Sequence, residues 1–334
     1  MNLLRDDVVL LFYQDFERDT FFKHDRYLKR LVRPLYHRFT SGPKVSGFLV
    51  WFQLLTKALH HQGYTVRIND YATAHKYPNH PVGLIGYPHI LHNWTLPNPA
   101  LIGPGFFDHP LQAPHLMDDP RFKRYIVTCQ WMEDLFKQYY GERVVHWHAG
   151  MDVQAWPDTR QQSKTFGVLV YDKIRWDRDH YGSALLEPIF RSLHQRELSY
   201  QIVRYGQYDH ATYKRLLGEA RSVLFLCEHE TQGMAYQEAL ASNVPVLAWD
   251  NGFWLDPRRE QWERGPVPAS SVPYWGRECG ERFPNLAAFD AILDLFWDRL
   301  PTYQPRRFVE RELSFARSAE TYMRYYTQLL EVYA

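Results

Sequence analysis

The sequence predicts an α/β protein of two parallel-sheet domains, and three observations carry that expectation. The stretch Ser222–Asp250 (S-V-L-F-L-C-E-H-E-T-Q-G-M-A-Y-Q-E-A-L-A-S-N-V-P-V-L-A-W-D) reads strand, loop, short helix, strand, which is how parallel strands are joined. Apolar runs of strand length alternate with helical patterns along most of the chain. At 334 residues the chain exceeds one comfortable core and suits two domains of ordinary size.

In the N-terminal half, Val8–Tyr13 (V-V-L-L-F-Y) is wholly apolar and predicts a first buried strand. Between Gln14 and Phe39, Lys23, Arg26, Arg30 and Arg33 recur at helical spacing on one face, with Leu28, Leu31, Val32 and Leu35 on another. This basic amphipathic helix, ending near Pro34, is either a solvated face or a contact for phosphates or lipid headgroups. Ser41–Gly47 (S-G-P-K-V-S-G) opens a helical pattern over Phe48–His61, closed by Gly63, and Tyr64–Ile68 returns as a strand. Gly42 and Gly47 let backbone approach a phosphate or an acceptor closely, although this spacing is also ordinary turn chemistry. Val82–Ile85 and Ala100–Ile102 are further short strands in a region rich in Pro, Gly, His and aromatics. Gly103–Pro110 (G-P-G-F-F-D-H-P) then puts Asp108 and His109 at a strand's C-terminal end, where open α/β sheets hold ligands. His89 and His92 compete with His109 for such a role. Tyr125–Cys129 reads as a strand, Trp131–Tyr140 as a helix stopped by Gly141, and Val144–Trp147 as another strand. Val153–Lys164, polar and carrying Pro157, reads as an interdomain linker.

Thr165–Tyr171 opens the second half and runs into D-K-I-R-W-D-R-D at residues 172–179, where Lys173, Arg175 and Arg178 supply cations. Ala184–His194 is helical, Tyr200–Arg204 a strand, Tyr205–Tyr208 a loop, and Tyr213–Ala220 a helix. Ser222–Cys227 is too short for a helix and reads as a buried strand; Glu228–Gly233 is the polar loop leaving it. Met234–Ser242 holds good helix formers, and Asn243 tolerates the left-handed conformation of a helix stop. Val244–Ala248 is the next strand, with Pro245 harmless at its entrance. Ser270–Phe283 is turn-rich, Phe289–Arg299 helical, and Glu310–Tyr333 a final helix carrying Phe315, Tyr322, Tyr325 and Tyr326. The N–H groups of Met234 and Ala235, reached through Gly233, form an anion site suited to a diphosphate. Glu230 and Glu238 are placed to accept hydrogen bonds from sugar or ribose hydroxyls; the alternative is acidic residues complementing the helix dipole.

The same stretch resembles a family. Glu230 and Glu238 enclose seven residues, with Gly233 between them and E-A-L-A-x-N-V-P-V following. This is similar to the E-x7-E signature of retaining GT-B glycosyltransferases (family 4-like), E-G-F-G-x-x-x-x-E-A-x-A-x-G-x-P-V, with Thr231 in place of the first Gly and Asn243 in place of the last. The resemblance implies two Rossmann-like domains facing a central cleft: residues 1–155 on the acceptor side and residues 165–309 binding a nucleotide sugar. A last helix at 310–334 would cross back to the first domain. It further implies that Glu230 faces the donor sugar and Glu238 the ribose, while Gly233 and the following amides cap the diphosphate. The family places an Arg and then a Lys, five apart, on that diphosphate; here Lys173 and Arg178 have the spacing in reverse order, with Arg175 as a spare. Tyr205, Gly206 and Tyr208 match the loop that meets the nucleobase, and His109 matches the histidine beside the donor sugar. His148–Asp152 (H-A-G-M-D) resembles the turn closing the first domain.

Composition narrows the class. Hydrophobic content of 45% and charged content of 23% are globular values, and a net charge of +1 provides no global field for nucleic acid or acidic lipid. Cys129, Cys227 and Cys279 are scattered and odd in number, which argues for a reducing compartment and against a disulfide frame or zinc site. The N-terminus lacks a signal-peptide layout, and no apolar run approaches membrane-spanning length, so the expectation is a soluble cytoplasmic protein.

The expected activity is transfer of a hexose or pentose from a nucleotide-diphosphate sugar to an acceptor, with retained configuration and no cofactor or metal. The acceptor is a glycan, a lipid-linked sugar or another molecule, and peripheral membrane contact is compatible with the basic helix. Asp177-Arg178-Asp179 offers a rival: D-x-D is how GT-A glycosyltransferases hold a divalent metal. Other readings are a GT-B sugar-nucleotide epimerase, a non-catalytic nucleotide-sugar-binding protein, or a transferase acting on a nucleic-acid base.

Overall fold

The computed structural model describes residues 3–14 and 47–331. The basic helix expected between Gln14 and Phe39, and Gly42, lie outside the described residues. The chain forms two compact units. Unit 1 comprises Met1–Asp108, Gln112–Ile126 and Thr321–Ala334; unit 2 comprises His109–Leu111 and Val127–Glu320.

In chain order the first elements are β1 (Val8–Gln14), α1 (Gly47–His61), β2 (Thr65–Ile68), α2 (Tyr71–Lys76), β3 (Val82–Gly86), α3 (His89–His92), β4 (Ala100–Ile102), β5 (Phe122–Val127), α4 (Gln130–Tyr140) and β6 (Val144–His146). The strands form a sheet of order β2-β1-β3-β4-β5-β6. β1 and β3 bury every residue along Val8–Phe12 and Val82–Gly86, the pattern of parallel strands covered on both faces. α1 buries Phe52, Leu55, Ala58 and Leu59, a single stripe at helical spacing. The expected strand Tyr125–Cys129 begins three residues earlier, at Phe122, and ends at Val127. Ala100 and Ile102 of β4 hold that register by pairing with Phe122 and Tyr125.

Then follow β7 (Phe166–Lys173), α5 (Arg178–Tyr181), α6 (Glu187–Gln195), β8 (Tyr200–Arg204), α7 (His210–Glu219), β9 (Ala220–Cys227), α8 (Met234–Ala241), β10 (Val246–Trp249), β11 (Gly280–Phe283), α9 (Leu286–Arg299), α10 (Pro305–Phe308) and α11 (Phe315–Glu331). Their strands form a parallel sheet of order β11-β10-β9-β7-β8. Side chains alternate between its faces: Leu169, Tyr171 and Phe225 pack on one side with Tyr236 and Leu240 of α8. Val168, Val170, Leu224 and Leu226 pack on the other with Phe289 and Leu293 of α9. Both faces of the sheet are therefore buried under helices, as a parallel sheet requires.

Several expected boundaries move for identifiable reasons. α7 starts at His210 rather than Tyr213, because the Asp209 carboxylate caps it by accepting the Thr212 N–H at 2.7 Å. The helix expected over Ala184–His194 is reached through α5 and a π-helical turn, Gly182–Leu186. The turn-rich Ser270–Phe283 ends in an edge strand, β11, whose four residues G-E-R-F carry almost no strand signal. The final helix starts at Phe315, not Glu310. A π-helical turn, Val309–Leu313, precedes it, and Ser314 is extended where it bridges Met151, whose N–H donates to the Leu313 carbonyl at 2.7 Å.

α11 divides between the units. Within unit 2, the Ser318 hydroxyl donates to His148 O at 2.9 Å, and Trp147 Nε1 donates to Ser318 O at 2.9 Å. Within unit 1, the Tyr326 hydroxyl donates to Pro81 O at 2.5 Å and accepts the Leu10 N–H at 3.0 Å. Gly83 admits this helix, since a Cβ there would lie 2.1 Å from the Tyr322 hydroxyl. Among the described residues, no helix is long and apolar enough to cross a membrane.

Candidate functional site

The topology of unit 2 singles out one place. The chain leaves β7 for β8 on one side and returns to β9, β10 and β11 on the other, so the strand order reverses between β7 and β9. Ligands of open α/β sheets bind beyond the carboxyl ends of strands at such a switch point. β7 ends at Lys173 and β9 at Cys227, and these two residues are register partners. The loop Glu228–Gly233 therefore starts beside Lys173, and Glu230 folds back to form a direct ion pair with its ammonium.

Both members of that pair are nearly enclosed, with side chains 13% and 11% exposed. Burial works against the Lys173 charge, but attraction to the Glu230 carboxylate outweighs it and holds the ammonium above its ordinary range. The Tyr205 ring lies 4.4 Å from the Lys173 ammonium and is itself exposed. The Glu230 backbone is pinned twice: its N–H donates to Ser270 O at 2.9 Å, and its carbonyl accepts from Trp131 Nε1 at 2.9 Å.

The other two cations are matched by carboxylates that the sequence reading passed over. Arg178 makes a two-pronged pair with the buried Asp172 and donates to Ile174 O at 3.2 Å. These Asp172 hydrogen bonds hold the guanidinium above its ordinary range. Arg175 lies 3.7 Å from the fully buried Glu228 and stacks over Trp176 at 4.0 Å. Glu228 Oε1 also accepts the backbone N–H groups of Arg175 (2.6 Å) and Trp176 (3.0 Å), so this carboxylate shapes the loop after β7. Asp172 and Glu228 adjoin predicted site residues in sequence, but nothing in the sequence distinguishes a buried, loop-holding carboxylate from a solvated one.

Gly233 starts α8 in the left-handed region at φ +80. A Cβ there would fall 2.2 Å from the Tyr236 ring, so both conformation and space demand glycine. Met234 and Ala235 form the first turn of α8 and are half-buried. Glu238, further along α8, accepts from the exposed His210 at 3.0 Å. Burial raises the Glu238 carboxyl above its usual range, and the His210 hydrogen bond offsets this only in part. That same bond raises His210. Tyr208 sits behind this end of the sheet, its hydroxyl 2.8 Å from that of Tyr171, and Gly206 is left-handed in open space.

His109 is packed into unit 2 rather than exposed. Its Nδ1 accepts the Leu111 N–H at 3.1 Å, so Nε2 carries the proton toward Glu263 Oε1 at 2.9 Å. Glu263 also accepts from the Tyr139 hydroxyl at 3.1 Å. The imidazole stacks on Trp262 (5.3 Å), beginning a run of ring contacts through Trp254, Trp131 and His229 to Trp176. Burial pushes His229 down to about 3, with Arg175 adding to the effect, so this ring is neutral. Asp108 and Gly47 belong to unit 1. Asp108 is exposed and its N–H donates to Gln112 Oε1 at 2.8 Å. Gly47 starts α1 with open space around it, so nothing described there requires glycine. Tyr87 stacks on His89 within unit 1, and His92 closes α3.

For the D-x-D pattern, Asp177 is left-handed (φ +43) at the start of α5, and both Asp177 and Asp179 are exposed. Among the described residues, no group of three or more His, Cys, Asp or Glu side chains is arranged to hold a metal ion.

No protein-family model matches the sequence, and no curated protein matches it. Solved structures do match. A glycosyltransferase from Rickettsia africae ESF-5 superposes with a TM-score of 0.54 at 11% identity, covering 97% of this chain and 98% of that one. AviGT4, a glycosyltransferase involved in avilamycin A biosynthesis, gives 0.51 at 12% identity over 97% and 98%. The lipopolysaccharide outer core galactosyltransferase WaaB gives 0.50 at 10% identity over 98% and 100%. The chain has the GT-B fold, with two Rossmann-like sheets of six and five parallel strands.

Proposed function

We propose that this protein is a glycosyltransferase that moves a sugar from a nucleotide-diphosphate donor to an acceptor, with retained configuration, in the manner of the E-x7-E enzymes. The observation that carries the reading is the meeting of Lys173 and Glu230 at the switch point of the unit 2 sheet, with α8 starting four residues beyond Glu230. The shared fold with glycosyltransferases supports it.

In this proposal the donor diphosphate rests on the Met234 and Ala235 amides and draws the Lys173 ammonium away from Glu230. Glu230, released from its pair, accepts from the sugar hydroxyls, and Glu238 accepts from the ribose. Charge growing on the departing diphosphate is balanced by Lys173 and Arg178, with Arg175 as a spare, rather than by a metal. Tyr205, Gly206 and Tyr208 border the nucleobase. His109 acts through Glu263, orienting the aromatic run beside the Glu230 loop, with Gly47 and Asp108 serving the acceptor from unit 1. Three buried, unpaired cysteines suit a reducing, cytoplasmic setting.

A thermal-shift panel of nucleotide sugars tests the reading, because a ligand of the native state raises the melting temperature. At least one uridine-, guanosine- or other nucleoside-diphosphate sugar should stabilise the wild type, and Lys173→Ala should reduce the shift. If none shifts the melting point, the donor site is wrong. Release of free sugar from a labelled donor without acceptor, and no epimerised nucleotide sugar, separates transfer from the epimerase alternative.

A further inference from the structure

A second binding feature lies in unit 2, built from other residues than Glu230 and Lys173. Beside the edge strand β11 is a cavity of about 1020 Å³, lined by residues between Asp250 and Tyr303 and by none of the proposed donor-site residues. Its volume is at the upper end for small-molecule clefts, far larger than a lone inorganic anion needs. Arg277, Arg282 and Arg299 all line it, with Trp275 on the wall.

Both acidic groups in the cavity are already engaged by an arginine. Asp250 accepts from the Ser270 hydroxyl (2.9 Å), the Ser271 N–H (2.9 Å) and Arg282 Nη1 (3.0 Å). Glu281 accepts from the Tyr303 hydroxyl (2.9 Å) and Arg299 Nη1 (3.3 Å). Arg282 and Arg299 each use one nitrogen in these contacts and remain about half exposed. No described carboxylate lies within ion-pair distance of Arg277. The cavity thus presents three guanidinium groups with donors to spare against two carboxylates, each already paired with one of them. Guanidinium forks match the oxygens of a phosphoryl group, and a partly exposed indole suits the apolar face of a sugar ring.

We infer that this groove binds a phosphorylated saccharide, independently of the donor site. The inference does not rest on the proposed transferase reaction, and either can fail alone. It does adjoin that site: Ser270, held by Asp250 through its hydroxyl, accepts the Glu230 N–H through its carbonyl.

Calorimetric titration with glucose 6-phosphate, glucose and inorganic phosphate tests it on the full chain. Glucose 6-phosphate should bind more tightly than either fragment. The double variant Arg277→Gln/Arg299→Gln should weaken it by about tenfold or more, since two charge-assisted contacts are lost. Lys173→Ala should leave it unchanged. Thermal melts of each variant establish that the fold is retained. Absence of glucose 6-phosphate binding to the wild type, or equal binding by a folded double variant, would overturn the site. Equal affinity for phosphate and glucose 6-phosphate would overturn the saccharide assignment.

Discussion

Gly233→Ala is expected to destabilise unit 2 by about 2–5 kcal/mol, the sum of a backbone and a packing term. The residue sits at φ +80, where an L side chain costs about 1–2 kcal/mol. The new Cβ would lie 2.2 Å from Tyr236 Cε1 and 2.6 Å from Cδ1, well inside contact distance. Tyr236 cannot yield freely, because its ring is fully buried and its hydroxyl bonds both the carbonyl and the N–H of Tyr274 at 3.1 Å. Overpacking of this kind adds about 1–3 kcal/mol. Gly206→Ala supplies the control: it has a similar φ of +77 but nothing within 4 Å of an added Cβ, so it isolates the backbone term. Urea unfolding followed by tryptophan fluorescence, compared at equal m-values, measures both variants. If Gly233→Ala lost no more stability than Gly206→Ala, the packing argument for the start of α8 would fail.

Three further outcomes are expected. Glu238→Ala should weaken nucleotide-sugar binding by about 1.5–3 kcal/mol with the melting point retained, because a carboxylate accepting ribose hydroxyls is removed; unchanged calorimetric affinity removes Glu238 from the site. Arg178→Ala should cost about 3 kcal/mol of stability, the low end for leaving a buried partner unpaired because the guanidinium is 30% exposed, whereas Arg175→Ala should cost less, because its contact with Glu228 is longer, at 3.7 Å, and two backbone N–H groups still hold that carboxylate. Equal unfolding midpoints for these two variants would contradict the pairing of Arg178 with Asp172. His148 and His229 are both pushed down by burial to about 3 from an ordinary 6.5, so they are neutral when folded and take up protons on unfolding. Their contribution is complete above pH 6.5 and is lost as pH falls toward 3, at up to about 1.4 kcal/mol per pH unit each. His229→Gln should flatten the acid limb of a stability–pH profile, and an unaltered limb would show that His229 is already charged in the folded state.

The strand and helix order of unit 2 was legible because parallel strands buried on both faces leave continuous apolar runs, as in Val223–Leu226 and Val168–Val170. Local rules also settled both ends of α8: Gly233 at its start and Asn243, left-handed at φ +60, just past its end. β11 escaped because a four-residue edge strand has too few positions for any pattern, and its partner β10 supplies the pairing. The break at Ser314 escaped because Met151, far away in sequence, takes the Leu313 carbonyl.

The site divides along the same line. Sequence alone determined which residue types stand at the strand ends: Glu230, Lys173, Arg178 and the glycine before α8. Tertiary structure decided their partners. It set Lys173 against Glu230, Arg178 against Asp172, Arg175 against Glu228 and Glu238 against His210. It also turned His109 inward onto Glu263 and the tryptophan run. The reason is physical: a charge's role depends on which opposite charge shares its low-dielectric surroundings, and for Lys173 and Arg175 that is fixed by the β7–β9 register, which brings residues more than fifty apart in sequence to adjacent strand ends.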